Sequence, residues 1–338
     1  MPTRNLNRRF PWFSLPMVLS VFISVHLWLL PPPAFAQEIA VNLTQGRVVI
    51  CAAKDGIIVA TIGDRGEPGS RTPAVMSVSA TRAAVMLGAV EWVQPESSDK
   101  PIRLDTELPG IIGAVLNTSG RPNYSNAASD IEMIGVAVLE RVREVAGLLH
   151  NKINMGPDEP LIRIVLAGYV PDYGPEAWTI DYHIAQDDLG NDIWRTRVLR
   201  PSYNQLYPPE KGQPHTLLEV RYPPANRAKD APELLDLLRD NDPRLATVRA
   251  ASDAMVKSMA FVVDGQSQKS LAAPVIDFLR KALPSVNPPE TKLTMALVDY
   301  DKGFHFVLEP PVEDRAPADT TPREPGAPTL RRKADNDK

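Results

Sequence analysis

Residues 161–182 read Leu-Ile-Arg-Ile-Val-Leu-Ala-Gly-Tyr-Val-Pro-Asp-Tyr-Gly-Pro-Glu-Ala-Trp-Thr-Ile-Asp-Tyr, and this stretch decides the fold. The apolar run from Leu161 to Tyr169 predicts a strand buried on at least one face, with Gly168 ending its interior. Pro171-Asp172-Tyr173-Gly174-Pro175 supplies turn chemistry, because proline presets φ and glycine admits left-handed backbone. A second β-type run, Glu176 to Ile184, follows. Apolar run, Pro/Gly turn and aromatic, β-branched run together predict a hairpin.

The same logic works outward in both directions. Arg47–Lys54 and Ile57–Ile62 flank Asp55-Gly56, a strong short hairpin signal. Val48, Ile50 and Ala52 would face one way and Val49, Cys51 and Ala53 the other. Both sets are apolar, which predicts a strand covered on both faces. Ala74–Val78 and Ala83–Val93 read as another β pair, and residues 94–128, broken by Pro95, Pro101, Pro109, Gly110, Gly120 and Pro122, read as loop. Ser129-Asp130-Ile131-Glu132 has the form of a capping box opening a helix. Its apolar positions Ile131, Ile134, Val138, Val142, Val145 and Leu149 recur at helical spacing, and His150 follows as a charge complementing the helix dipole.

After the central hairpin, Ile193–Leu199 is a further β run, and the proline-rich residues 200–231 read as a long connection. Short helical signals cover Pro232–Arg239, then a segment capped by Asp242-Pro243 with Leu245, Val248, Met255, Met259 and Val262 on its apolar stripe, then about Lys269–Ala282. Lys292–Asp299 and Phe304–Leu308 flank Tyr300–Gly303 as a last hairpin. Strand blocks separated by helix blocks predict an α+β fold with antiparallel sheets covered by helices, and argue against a doubly wound repeat.

Composition narrows the function classes. Residues 1–36 carry Arg4, Arg8 and Arg9, the apolar run Met17–Leu30, and Ala34-Phe35-Ala36 before Gln37, the layout of a secretory leader. The run falls short of the about 20 apolar residues of a membrane span, so no stable span is expected after cleavage. The expected location is the periplasm or the extracellular space. The leader holds three arginines and no acid, so its removal takes the formal net charge from −4 to −7. An acidic chain without a basic stripe gives no footprint for nucleic acid. Cys51 is the single cysteine, and the five histidines lack ligand spacing, so neither an internal disulfide nor a metal or other cofactor is expected. The acidic run Asp187-Asp188-Leu189-Gly190-Asn191-Asp192 reads as a solvated turn. Residues 309–338, rich in Pro, Asp, Arg and Thr, read as a disordered tail after a domain spanning 37–308.

Three segments carry a resemblance. Leu166-Ala167-Gly168-Tyr169, four residues, Gly174-Pro175, five residues, Asp181-Tyr182 resembles without a gap the central strand pair of β-type subunits of the proteasome core. Lys54-Asp55-Gly56-Ile57-Ile58-Val59-Ala60 looks like their first hairpin, and Leu297-Val298-Asp299 through Gly303-Phe304 is similar to their closing one. The resemblance spans about residues 45–308. It implies the four-layer αββα sandwich of N-terminal-nucleophile (Ntn) hydrolases, with residues 94–128 and 200–231 as loop insertions.

The family also implies a catalytic set. Its nucleophile is a threonine at the mature N-terminus, ten residues before the turn glycine, and its own α-amine serves as the base. Counting back from Gly56 reaches Gly46, so Thr44 is the candidate, exposed only by a cut after Leu43. The family's second-strand aspartate would be Asp64, allowing a two-residue insertion. Its third-strand lysine has no counterpart, since no lysine lies between Lys54 and Lys100, and Arg82 is a poor substitute as a tunable group. Cys51, mid-strand among apolar neighbours, reads as packing. The expectation is an exported proteasome-subunit-like protein without catalysis, serving in binding or assembly with copies of itself or an envelope protein. The alternative is a self-processing threonine-type peptidase or amidohydrolase using Thr44, with Asp64.

Overall fold

The computed structural model describes residues 39–63, 72–93, 101–118, 124–156, 158–170, 174–208, 217–223, 242–248, 272–287 and 292–309, with Leu234, Leu237 and Asp240. All of them fall in one compact unit, Ile39–Lys338. The leader, the turn at 171–173, the segment 249–262 and the tail beyond Glu309 lie outside the described residues, as does Asp64.

The fold is α+β with antiparallel sheets. The strands are β1 (Ala40–Thr44), β2 (Gly46–Ala53), β3 (Gly56–Gly63), β4 (Val75–Ser79), β5 (Arg82–Val93), β6 (Ile102–Arg103), β7 (Ile162–Val170), β8 (Gly174–Tyr182), β9 (Ile184–Asp188), β10 (Trp194–Val198), β11 (Ser202–Tyr207), β12 (Leu217–Tyr222), β13 (Leu293–Asp299) and β14 (Gly303–Leu308). The helices are α1 (Leu104–Thr118), α2 (Tyr124–Ala146) and α3 (Ala272–Val286). A seven-stranded sheet runs β1-β5-β7-β8-β11, with β4 and β6 also on β5. A five-stranded sheet runs β12-β2-β3-β13-β14, and β9 pairs with β10 in a separate ribbon.

The predicted hairpins form. β7 and β8 pair from Ile162 with Tyr182 to Val170 with Gly174, so the strand runs through Gly168 rather than ending there. β2 and β3 close at Ala53 with Gly56, and β13 and β14 at Asp299 with Gly303. The Asp299 carboxylate accepts the Asp301 and Lys302 amides at 2.8 and 2.9 Å, which shapes that turn.

Apolar side chains gather in three clusters. Ile164, Leu166 and Ile180 of the larger sheet pack with Leu104, Leu108 and Ile112 of α1 and Ile134, Val138 and Val142 of α2. Val49, Cys51 and Ala53 join Ile58, Ala60, Val275, Phe278 and Leu279, which puts one face of the smaller sheet on α3. Val48, Ile50 and Ala52 join residues of both sheets, including Val85, Leu87, Val165 and Ala167. The alternation of β2 is therefore apolar on both faces, as its sequence predicts. Each buried Val, Leu or Ile contributes about 1.5–3 kcal/mol relative to exposure.

Two stretches read as irregular contain regular elements. Within 94–128 the structure places β6, α1 and the start of α2. Pro109 lies inside α1 and forfeits about 3 kcal/mol, and Gly110 about 1 kcal/mol more. Burial of Leu104, Leu108 and Ile112, each fully covered, outweighs that loss. Asp105 and Glu107 in the first turn suit the helix dipole, and Arg141 of α2 holds Glu107 at 2.7 Å. A Cβ on Gly110 would meet nothing within 4 Å, so Gly110→Ala is expected to raise stability by about 0.5–1 kcal/mol, read as a higher urea midpoint. The second helix starts at Tyr124, five residues before the capping-box serine, so Ser129 and Asp130 are interior to it.

Residues 200–231 contain β11 and β12 rather than a bare connection. Both are edge strands, β11 beside β8 and β12 beside β2. Prolines delimit them: Pro201 precedes β11, and Pro208 and Pro223 follow the two strands. In the segment after Asp242, Pro243–Val248 forms a 3-10 helix whose start is capped as expected, the Arg244 amide donating to the Asp242 carboxylate at 2.8 Å.

Candidate functional site

The resemblance directs attention to the start of β2, where the chain leaves one sheet for the other. Thr44 is the last residue of β1, opposite Gly88 of β5. Gly46 opens β2 in the other sheet, flanked by Gly63 of β3 and Tyr222 of β12. Thr44 is buried, with 3% of its surface exposed. In the intact chain its nitrogen is a peptide amide within the strand, whereas the nucleophilic chemistry needs a free amine.

The position ten residues before the turn glycine is itself closed to any side chain. Gly46 has φ of 149°, and a Cβ there would stand 2.2 Å from the Ile62 carbonyl oxygen. Across the mouth, Gly88 has φ of 93°, with the Leu161 carbonyl oxygen 2.4 Å and the Tyr222 ring 3.1 Å from where its Cβ would be. Tyr222 fills the gap between the sheets, and its hydroxyl donates to the Pro160 carbonyl at 3.0 Å. Beside it Arg163 of β7 grips Asp181 of β8 with a two-pronged bond, both contacts 2.7 Å. The remaining prong donates to the Arg221 carbonyl of β12 at 3.2 Å. Tyr222 and Arg163 thus tie the larger sheet to the edge of the smaller one.

The outer face of β12 carries a second charged group. Glu219 receives Arg47 at 3.2 Å and Arg221 at 3.0 Å, and accepts the Leu234 amide at 2.9 Å. All three side chains are nearly enclosed, with exposures of 5, 2 and 9% for Arg47, Glu219 and Arg221.

The other residues singled out in the sequence lie elsewhere. β4, the third strand of the first hairpin pair and its successor, carries Val75, Met76, Ser77, Val78 and Ser79 and no lysine. Arg82 shares the face of Ala84 and Met86 toward the α1–α2 layer, where it pairs with Glu176 at 2.5 Å. It does not take the lysine's place. Cys51 is fully buried on the α3 side of its sheet, and burial pushes its thiol far up from the usual range, which removes thiolate character. The acidic turn is solvated: Asp187 holds Arg195 at 3.0 Å and Arg197 at 3.1 Å, and these bonds hold its carboxyl below the usual range. His150 is exposed past the end of α2, where its carbonyl accepts the Trp194 amide at 2.7 Å. Among the described residues no three His, Cys, Asp or Glu side chains converge as a metal ion needs.

A different kind of surface lies on α2. Met133 and Val136 are 42 and 58% exposed, and with Ala137 they floor a shallow groove rimmed by Glu132 and Glu140. Residues at i, i+3, i+4 and i+7 share one helix face, so the stripe is continuous. Tyr222 and Glu219 had no signal in the sequence, because each acquires its role from strand pairing between distant segments, whereas Asp181 stood in the family-like wording without its partner Arg163 being marked. No family model matches the chain, and no curated protein is significantly similar to it.

Proposed function

We propose that this chain is an exported protein on a proteasome-like, four-layer αββα Ntn sandwich, and that it serves in binding or assembly rather than catalysis. The three apolar clusters support the layering: helices α1 and α2, the larger sheet, the smaller sheet and α3 would succeed one another. The side-by-side pairing of the first and closing hairpins through β3 and β13 supports the resemblance further.

The observation that carries the non-catalytic reading is the closed start of β2. Gly46 cannot bear a side chain, Tyr222 fills the mouth, and β4 brings no lysine. Upstream residues are also built into the fold: β1 pairs with β5 along its length, and Ile39, Val41 and Leu43 pack into the α1–α2 cluster. A cut after Leu43 would sever a core strand from the strand it feeds. The apolar face of α2, with Met133 and Val136 exposed, supports a role in binding another protein, either a second copy or an envelope partner.

The alternative retains Thr44 as a nucleophile unmasked by self-cleavage, with Asp64 as the aspartate that the resemblance implies. It is favoured by the position of Thr44 at the crossing between the sheets, two residues from the family's place. Intact-mass measurement of the purified mature protein separates the two. The expected chain begins at Gln37, and Thr44→Ala leaves that mass pattern unchanged apart from the substitution itself. A chain beginning at Thr44, lost in Thr44→Ala, would establish the enzyme reading instead.

A further inference from the structure

Among the described residues, four of the seven exposed large apolar side chains lie either on α2 or at the tip of the β9–β10 ribbon: Met133, Val136, Leu189 and Ile193. The groove on α2 is one half of a surface. Met133, Val136 and Ala137 floor it, and Glu132 and Glu140 close its two ends. At about 1.5 Å per residue the two acidic positions stand about 12 Å apart along the helix. Arg141 is committed to Glu107 and Glu144 at 2.7 and 2.6 Å, and Arg143 stands beyond the groove, so the rim is acidic.

The ribbon is the other half. Its inner face holds it to the body of the fold: Ile184 and Val198 join the α1–α2 cluster, and Gln186 accepts the Ile153 amide at 2.9 Å. Residues opposite one another share a face of an antiparallel pair, so Asp187 with Arg195, and Ala185 with Arg197, point outward. Leu189 and Ile193 continue that outward face at the tip, where the Leu189 amide donates to the Ile193 carbonyl at 2.9 Å. Gly190, Asn191 and Asp192, with φ of 85, 55 and 61°, turn the chain between them. Leu189 and Ile193 are 58 and 42% exposed. Beside them two arginines share the one carboxylate of Asp187, while Asp188 lies on the other face and accepts the Gly190 amide at 2.8 Å. That stretch of the outward face is therefore net positive.

We propose that a second copy of the chain seats this ribbon tip in the α2 groove, with Leu189 and Ile193 on Met133, Val136 and Ala137, and Arg195 and Arg197 against Glu132 and Glu140. Each chain carries both halves, and the groove is lined by α2 residues. Pairing α2 with α2 is the poorer match, because a two-fold contact centred on Val136 sets Glu132 of one copy against Glu140 of the other. The contact rests on the binding or assembly role proposed above and names its partner.

Analytical ultracentrifugation of the full mature chain at micromolar concentration tests it, with circular dichroism to show that each variant folds. The wild type should associate. Val136→Glu in the groove and Leu189→Asp at the tip should each weaken association at least about tenfold. Reversed charges give the sharper result: Glu132→Lys with Glu140→Lys, and Arg195→Glu with Arg197→Glu, should each be monomeric alone and associate when mixed. A monomeric wild type would overturn the contact, as would association that both apolar variants retain, or a charge-reversed mixture that stays monomeric. If one apolar variant does not fold, the other decides. Intact mass keeps this contact apart from the proposed function: a chain beginning at Thr44 that associates through these residues upholds the contact and sinks the non-catalytic reading.

Discussion

Gly168→Ala is expected to be among the most damaging single substitutions in the molecule, lowering stability by about 3 kcal/mol or more. The added Cβ would lie 2.1 Å from the Thr81 carbonyl oxygen, 2.9 Å from the Arg82 Cα and 3.0 Å from the Arg82 Cδ. Two of these are backbone atoms, so no side-chain rotation relieves the clash. The β4–β5 turn would have to move, and that turn is held from two directions. Thr81 accepts the Tyr169 amide at 3.1 Å, and Ala80 accepts the Phe304 amide of β14 at 3.0 Å. The second bond joins the closing hairpin of the smaller sheet to a turn of the larger one. Nearby, Tyr169 stacks edge-on against Tyr300 and donates its hydroxyl to the Tyr300 carbonyl at 2.9 Å. A shift of the turn therefore strains the Arg82–Glu176 pair and the seam between the sheets together. Urea unfolding measures the loss; a midpoint within error of the wild type would show that the turn adapts freely.

Gly168 belongs to the wording that suggested the fold, and its structural reason is close approach rather than chain reversal. That contrast shows what was legible in the sequence. The three hairpins were legible because the turn chemistry of Asp55-Gly56, residues 171–175 and Tyr300–Gly303 lies between strand signals, and the flanking strands pair as those signals predict. The α2 stripe was equally plain, since Ile134, Val138 and Val142 recur at helical spacing and all are buried.

The missed elements depend on distant partners. Pro109-Gly110 announces a break, yet α1 persists because its apolar face is covered by α2 and the larger sheet. β12 hides because Glu219 and Arg221 occupy enclosed positions where a strand is expected to be apolar. Only the pairing of β12 with β2, which sets Arg221 opposite Arg47, explains why those charges are there. At the candidate site it was the resemblance that pointed to Gly46 and Thr44. The Tyr222 plug and the Arg163–Asp181 grip were invisible, because they exist only once both sheets are in place.

Glu219→Ala is expected to cost about 3–5 kcal/mol, far more than a surface charge would suggest. Glu219 is 2% exposed and faces Arg47 and Arg221 from the same edge of the smaller sheet. In the intact protein one enclosed carboxylate accepts from both guanidinium groups and from the Leu234 amide. Truncating it removes that shared acceptor from all three donors. Water or a local opening of β12 would then take its place, and among the described strands β12 pairs with β2 alone. The loss should concentrate there: amide exchange at Leu217–Tyr222 should accelerate well beyond that of β7 and β8. Glu219→Gln keeps an acceptor but not the charge, so its loss should be intermediate. The exposed fork of Asp187 with Arg195 and Arg197 is the opposite case, since its arginines are 62 and 58% exposed and solvent already does the carboxylate's work. A Glu219→Ala protein as stable as the wild type would mean that the two arginines are satisfied without the carboxylate, and that Glu219 does not hold the edge of the smaller sheet.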